Sequence, residues 1–367
     1  MVMRVLFRVD ASLGMGSGHV MRCLTLARAL AAEGHQCRFI SRAHPGHLHE
    51  HIREQGFELH SLPMGCAHDE VLFHGHWLGA SQDEDVQACR PLIEAFEPDW
   101  LVVDHYALDQ RWESAVMPAD CRLLVIDDLA DREHVCDLLL DQNLGRLAED
   151  YRDKVPAHCQ LLTGPHNALL RPEFARLREA ALARRATAGL QEVLIALGGV
   201  DQHNHSGAVL EALRGCELPA DIRFTVVLGA SAPHVEVLRE QAAAYPWPVQ
   251  VLSATRDMAA LMVRADLAIG AGGGTSWERC CLGLPTLLIV LAENQQQAAR
   301  ALERRGAVEL VDPRSPLDKQ LELLMLRMGN SKALALLSRS ASEITDGRGV
   351  MRMLTAMKLV YERSKGR

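Results

Sequence analysis

Short apolar runs and helix-spaced apolar stripes alternate along the chain. Residues 4–10, 37–41, 57–62, 100–104, 122–128 and 137–140 are short and mostly apolar, bounded by turn or polar residues, and predict strands. The most apolar of them are continuous runs, as in strands buried on both faces of a parallel sheet. Between them, residues 20–34 set Val20, Met21, Leu24, Ala27, Leu30 and Ala31 on one helical stripe, and Gly34 fits a left-handed C-cap. Residues 48–55 and 83–96 predict further helices, and the glycine- and histidine-rich residues 63–82 predict a loop. Residues 164–172 are turn-rich, and 173–188 predict a basic, alanine-rich helix between two lobes. The pattern then restarts with strand 192–197, a glycine turn and helix 205–214. Strands follow at 224–228, 249–252, 267–269, 286–290 and 308–310. Helices follow at 233–244, 258–264, 275–282 and 296–305, then between 317 and 339 and over 349–362. The expected fold is α/β, with two Rossmann-like lobes built on parallel sheets. The first lobe is expected over residues 1–165 and the second over 166–367, with the last helix a candidate to cross back onto the first.

Composition narrows this picture. At 367 residues, 48% apolar and 23% charged, the chain has the makeup and length of two globular domains. A net charge of −8 argues against a nucleic-acid or membrane partner. No apolar run reaches transmembrane length. The ten cysteines include no C-x-x-C pair. With no signal peptide evident, they read as reduced thiols of a cytoplasmic protein. His47, His49 and His51 alternate, as do His74 and His76, but no thiol or carboxylate framework accompanies them, so no metal site is expected.

Two glycine loops carry the candidate chemistry. Gly14-Met15-Gly16-Ser17-Gly18-His19 joins the first strand to the first helix. Its glycines allow positive φ and close approach of a ligand. His19 stands at the helix N-terminus, either as a cap or as a base, since that end favours a neutral ring able to accept a proton. The spacing is not G-x-G-x-x-G, and the second strand leads to Arg42 and His44 with no acidic residue for a ribose, which argues against a dinucleotide. The second loop, Gly270-Ala271-Gly272-Gly273-Gly274-Thr275-Ser276, presents backbone amides at a helix start and suits a diphosphate. Glu278 has two readings. It completes a capping box with Thr275, or it accepts hydrogen bonds from ribose hydroxyls. Gly198-Gly199-Val200-Asp201 is explained by a tight turn and is a weaker ligand signal. Asn294 and Gln295 follow a strand, where they serve as turn residues or hold sugar hydroxyls. Polar and glycine sites thus recur beyond strand ends in both lobes, which points to a cleft between the lobes.

In order, Arg8-Val9-Asp10, Gly16-Ser17-Gly18-His19 with Arg22 and Cys23, Asp104-His105-Tyr106, Asp127-Asp128, Leu169-Leu170-Arg171-Pro172-Glu173-Phe174, Gly198-Gly199-Val200-Asp201 and Glu293-Asn294-Gln295 form a specific set. Over residues 3–312 the chain resembles the UDP-2,4-diacetamido-2,4,6-trideoxy-β-L-altropyranose hydrolases of pseudaminic acid biosynthesis. More distantly it is similar to MurG-like glycosyltransferases of the GT-B fold. The resemblance implies a GT-B architecture and release of UDP from a UDP-linked diacetamido-trideoxy sugar, with no cofactor. It makes His19 the catalytic base and Asn294 an active-site residue. It puts the nucleotide on Gly273, Gly274, Thr275, Ser276 and Glu278, and makes Tyr106 and Arg171 substrate contacts. Gly16 and Gly18 would let sugar and water come close, with Gly199 and Gln295 as further contacts. The family usually carries an aromatic residue where Asn167 stands, so this chain departs from the pattern there. The implied chemistry is a single inverting displacement by water. A glycosyltransferase, an epimerase and a non-catalytic nucleotide-sugar binding protein share the same framework.

Overall fold

A computed structural model describes residues 2–66, 71–186, 189–229, 232–255, 257–312 and 314–365. The chain divides into two compact units, Met1–Leu169 with Gly349–Arg367, and Leu170–Arg348.

In the first unit, strand β1 (Arg4–Val9) leads through the glycine loop into helix α1 (Gly18–Ala32). Then follow β2 (Gln36–Arg42), α2 (His49–Glu54), β3 (Glu58–Leu62), α3 (Gln82–Phe96) and β4 (Trp100–Asp104). After them come α4 (Gln110–Val116), β5 (Arg122–Ile126), β6 (Leu138–Asp141) and β7 (Gln160–Thr163). The seven strands pair in parallel in the order β3-β2-β1-β4-β5-β6-β7. Side chains of β1 alternate between two cores. Val5, Phe7 and Val9 pack on the side of α1, and Leu6 packs on the side of α3 and α4. Phe7 stacks on Phe39 of the neighbouring strand at 4.8 Å, a cross-strand pair that pins the register.

The second unit opens with α5 (Pro172–Arg185) and continues with β8 (Glu192–Ala196), α6 (His205–Leu213), β9 (Arg223–Leu228), α7 (Val235–Ala243) and β10 (Val249–Ser253). Next come α8 (Met258–Arg264), β11 (Leu267–Ala271), α9 (Thr275–Cys281), β12 (Thr286–Ile289), α10 (Gln296–Arg304) and β13 (Glu309–Val311). Helices α11 (Leu317–Met328) and α12 (Ser331–Ser342) follow, the second capped by Asn330, whose Oδ1 accepts from the Lys332 amide. The six strands are parallel in the order β10-β9-β8-β11-β12-β13.

The last helix, α13 (Gly349–Lys365), belongs to the first unit. It buries Val350, Met353, Leu354, Ala356, Met357 and Tyr361 in the core beside α1. Helix α4 and strand β7 were not expected from the sequence. β7 is four residues long and only partly buried, so its apolar signal is weak. Residues 63–82 hold a short 3₁₀ turn, Gly75–Leu78, whose Leu78 is fully buried.

Candidate active site

In the first unit the winding of the sheet reverses between β1 and β4, and Val9 lies in register with Asp104. The carboxyl ends of two such strands form the crevice where open α/β sheets bind ligands. Beyond β1, Gly16 adopts φ +76°, with open space where a Cβ would stand. The conformation rather than crowding therefore calls for glycine there. Gly18 is the first residue of α1, which puts His19 in its first turn.

His19 is not left to cap the helix, and Ser17 at the N-cap makes no side-chain bond. Its Nδ1 lies 2.6 Å from Asp104 Oδ1. Arg22, one turn along α1, donates to the same carboxylate from Nε at 2.6 Å and Nη2 at 2.7 Å. Arg22 Nη2 also approaches the ring at 3.3 Å, but the shorter contact with a buried carboxylate sets the tautomer. In the neutral ring, Nδ1–H then donates to Asp104 and the lone pair falls on Nε2. Burial alone would raise the Asp104 carboxyl; the Arg22 guanidinium and His19 outweigh it and hold it below the usual carboxylate range. Arg22 Nη1 and the Tyr106 hydroxyl both donate to Asp128 Oδ2, at 2.7 and 2.6 Å. Burial and the Asp128 carboxylate push the Tyr106 phenol up, so it stays protonated as a donor. The Tyr106 ring meets His19 edge-on at 4.7 Å.

A second polar layer supports the first. Asp85 on α3 accepts from Arg8 Nη2 at 2.7 Å, from Arg42 Nη2 at 2.5 Å and from the Trp112 indole at 2.9 Å. Asp10 accepts from Arg8 Nη1 and from the Arg42 amide, both at 2.6 Å, and lies 3.2 Å from His105 Nε2. All of these side chains are buried, and two arginines are matched by two aspartates. Charges this deep persist only when paired and hydrogen-bonded.

The second unit repeats the plan. Its sheet reverses between β8 and β11, and the loops after these strands are the two glycine segments. Gly273 (φ +99°) and Gly274 precede α9, and the amides of Ser276 and Trp277 bond back to their carbonyls. Arg279 is buried beneath the loop. Its Nη2 donates to the Ala271 carbonyl and Ser276 Oγ, and its Nη1 to Thr275 Oγ1. A Cβ on Gly270 would lie 2.5 Å from that guanidinium. Burial draws Arg279 down to about 10, still well above neutral pH, so a full positive charge backs the loop.

Of the two readings of Glu278, the capping box with Thr275 does not form. Gly274 is the N-cap, and Thr275 is already helical. Glu278 instead lies 3.4 Å from Arg171 Nη2, and burial raises its carboxyl despite that partner. The Gln295 side chain packs on the loop, for a Cβ on Gly272 would stand 2.8 Å from Gln295 Cβ. Asn294 is exposed next to it. Gly199 has a structural task, since its carbonyl accepts from the Gly229 amide at 2.7 Å, while Asp201 caps α6 through the His205 and Ser206 amides. Asn167 is tied back to the Thr163 carbonyl by its own amide.

The structure thus gathers His19, Gly16, Gly18 and Tyr106 in one unit. In the other it gathers Arg171, Glu278, Gly273, Gly274, Thr275, Ser276 and Gln295. Sequence reasoning did not single out Asp104, Arg22, Asp128 or Arg279 as site residues. Asp104 carried a usable signal, a lone carboxylate ending an apolar strand. Among the described residues no group of three or more His, Cys, Asp and Glu side chains is placed to hold a metal ion, and no helix is long and apolar enough to cross a membrane. All ten cysteines are free thiols.

Residues 193–346 match the glycosyltransferase family 28 C-terminal domain. Over 215 residues the chain is 30% identical to the spore coat polysaccharide biosynthesis protein SpsG of Bacillus subtilis, a match covering 57% of this chain and 61% of that relative, under two thirds of its length. Over 306 residues it is 26% identical to the UDP-2,4-diacetamido-2,4,6-trideoxy-beta-L-altropyranose hydrolase of Campylobacter jejuni, covering 83% of this chain and 97% of the hydrolase. It is 24% identical to the UDP-N-acetylglucosamine–N-acetylmuramyl-(pentapeptide) pyrophosphoryl-undecaprenol N-acetylglucosamine transferase of Bacteroides fragilis, over 92% of this chain and 91% of the transferase. Among solved structures, Acinetobacter baumannii MurG superposes with a TM-score of 0.72 at 17% identity, over 97% of this chain and 99% of that one. Two parallel-sheet Rossmann-like units with these structural neighbours give the chain the GT-B fold.

Proposed function

We propose that the chain is a UDP-sugar hydrolase that releases UDP from a UDP-linked 2,4-diacetamido-2,4,6-trideoxy-β-L-altropyranose. The observation that carries the reading is the 2.6 Å contact of His19 Nδ1 with buried Asp104, which leaves Nε2 as a base. Water attacks the anomeric carbon and gives its proton to Nε2. The bond from that carbon to the phosphate oxygen breaks, and its electron pair leaves with UDP, inverting the centre. The first unit handles the reacting end, with Tyr106 packed beside His19 and Gly16 and Gly18 allowing close approach. The second handles the nucleotide. Amides at Gly273, Gly274 and Thr275, backed by Arg279, meet the diphosphate and the charge it gains, while the Ser276 amide is held by the Gly273 carbonyl. Glu278 takes the ribose, and Arg171, Asn294 and Gln295 contribute sugar or phosphate contacts. Support for water as the acceptor is the similarity to the Campylobacter hydrolase along nearly its whole length.

The match of residues 193–346 to a glycosyltransferase domain favours a second reading, in which His19 deprotonates an acceptor alcohol instead. NMR of the products separates the two. Hydrolysis yields free sugar and UDP in equal amounts with no acceptor present, whereas release that requires an added acceptor alcohol would overturn the hydrolase reading. His19→Ala is expected to lose about 10²–10⁴ in turnover, and a loss under tenfold would remove His19 from its role.

A further inference from the structure

Residues 71–79 place aromatic rings beside the candidate base. Trp77 stacks on Tyr106 with ring centroids 5.5 Å apart and 19° between planes. It also faces His19 edge-on at 6.4 Å. His74 closes the group, 4.4 Å from Trp77 and 5.4 Å from Tyr106. Burial draws His74 below the usual histidine range, which leaves a neutral ring in this cluster. Tyr106 is only 6% exposed, whereas Trp77 is partly open to solvent. The segment is anchored just beyond Trp77, where Leu78 and Ala80 are fully buried. An anchored, partly open indole next to a general base is suited to the C–H face or a methyl group of a sugar, since its face offers a broad apolar surface with a negative quadrupole that attracts C–H groups.

We propose that Trp77, held by Tyr106 and His74, is the platform that receives the sugar ring of the substrate and selects for apolar substituents on it, the C6 methyl and acetamido methyls of a trideoxy diacetamido sugar. This rests on the hydrolase reading for the identity of the sugar. Trp77 contacts substrate without taking part in proton transfer, and it does not touch the UDP. Its removal therefore weakens the sugar's share of binding and leaves the nucleotide's share intact.

Calorimetry tests this without turnover. The probes are UDP and a UDP-sugar analogue in which a methylene replaces the anomeric oxygen, so that nothing is cleaved. In the native chain the analogue is expected to bind more tightly than UDP. Trp77→Ala should cut that ratio about tenfold, the scale of one apolar contact in a pocket, with UDP affinity unchanged. Trp77→Phe should keep it within about threefold, because an aromatic ring remains. Equal ratios in the native chain and Trp77→Ala would overturn the proposal, as would a Phe variant that fails as fully as Ala. If Trp77→Ala does not fold, the Phe variant and Trp77→Leu carry the comparison, Leu being expected to lose the ratio. A native chain that binds the analogue through Trp77 yet releases no UDP from the true sugar nucleotide would sink the hydrolase reading and leave the platform standing. Turnover with an unchanged ratio in Trp77→Ala would do the reverse.

Discussion

Asp104→Asn tests the core of the proposed mechanism with almost no change of shape. Oδ1 of Asp104 serves two donors, His19 Nδ1 at 2.6 Å and Arg22 Nη2 at 2.7 Å, and Oδ2 serves Arg22 Nε at 2.6 Å. An amide has only one acceptor oxygen, so at least one of these contacts must fail. If the NH₂ faces His19, it donates to Nδ1, the ring proton moves to Nε2, and the base is gone. In the Ser-His-Asp triad the same tautomer error costs about 10⁴ in kcat, or roughly 5 kcal/mol. If the NH₂ faces Arg22 Nε, His19 keeps its partner, but a buried guanidinium meets a donor, which costs about 1–3 kcal/mol or more in stability. The first outcome also sets the NH₂ against Arg22 Nη2 and so costs stability as well as turnover, whereas the second spares turnover. Because Arg22 also touches the Oδ1 position, the loss in kcat is expected to fall between about 10² and 10⁴, with KM changed less than about threefold. The assay is UDP release under saturating sugar nucleotide, with ¹⁵N NMR of the histidine ring as the companion readout. The imidazole of His19 should switch from Nδ1–H to Nε2–H. Turnover within about tenfold of the native chain, with the Nδ1–H tautomer retained in a folded variant, would refute the assignment of Asp104 as the group that positions the base.

Three further outcomes are expected. Asp85→Ala strips Arg8, Arg42 and the Trp112 indole of a shared buried acceptor. It should destabilise the first unit by about 3–5 kcal/mol in urea unfolding, and a loss under about 1 kcal/mol would contradict the burial argument. Acidification should weaken the fold in two stages, read as the thermal midpoint between pH 8 and pH 3. Burial draws His105 and His49 below the usual 6.5, so the unfolded chain takes up protons that the folded one does not, and stability complete above 6.5 is lost as the pH falls below it. Burial alone would raise the carboxyls of Asp10 and Asp85, but their arginine partners hold them below 3.8, so their contribution is present above 3.8 and lost beneath it. A midpoint that stays flat or rises from pH 7 to pH 5 would count against the first stage. Gly272→Ala should push Gln295 off the glycine loop, where a Cβ would stand 2.8 Å from it. The expected result is a rise of about tenfold in KM for the sugar nucleotide, the scale of the roughly 1–3 kcal/mol that overpacking costs, in a variant that stays folded. Unchanged KM would detach the loop from substrate binding.

What was legible in the sequence and what was not follows from the range of the interactions. The two Rossmann-like units announce themselves because each buried parallel strand is a continuous apolar run, and each glycine loop breaks the pattern at the strand's end. Phe7, Val102 and Leu124 sit in the first unit's core for that reason. Strand β7 escaped because four half-buried residues carry little periodic signal. Of the two readings of Glu278, the capping box fails because its signal is purely local. The real partner of Glu278 is Arg171, 107 residues away, which no capping rule can weigh. Trp77 stood in a segment read as a loop, where nothing in the spacing shows that its ring lies on Tyr106. Asp104 is 85 residues from His19, and the signal it carries, a lone carboxylate ending an apolar strand, does not by itself name its partner. Yet the topology contains the missing step. Once the sheet order reverses between β1 and β4, Val9 and Asp104 fall in register, so the last residue of β4 must face the first turn of α1. The dyad is therefore a consequence of the crossover, not an addition to it. A histidine in that first turn and a carboxylate ending that strand can be paired before any side chain is placed, provided the switch point is identified first. The same reasoning in the second unit pairs the loops after β8 and β11. There it correctly brings two glycine segments to one edge of the sheet, but it does not say which binds a ligand, and Gly199 shows that one of them is occupied in holding the turn together.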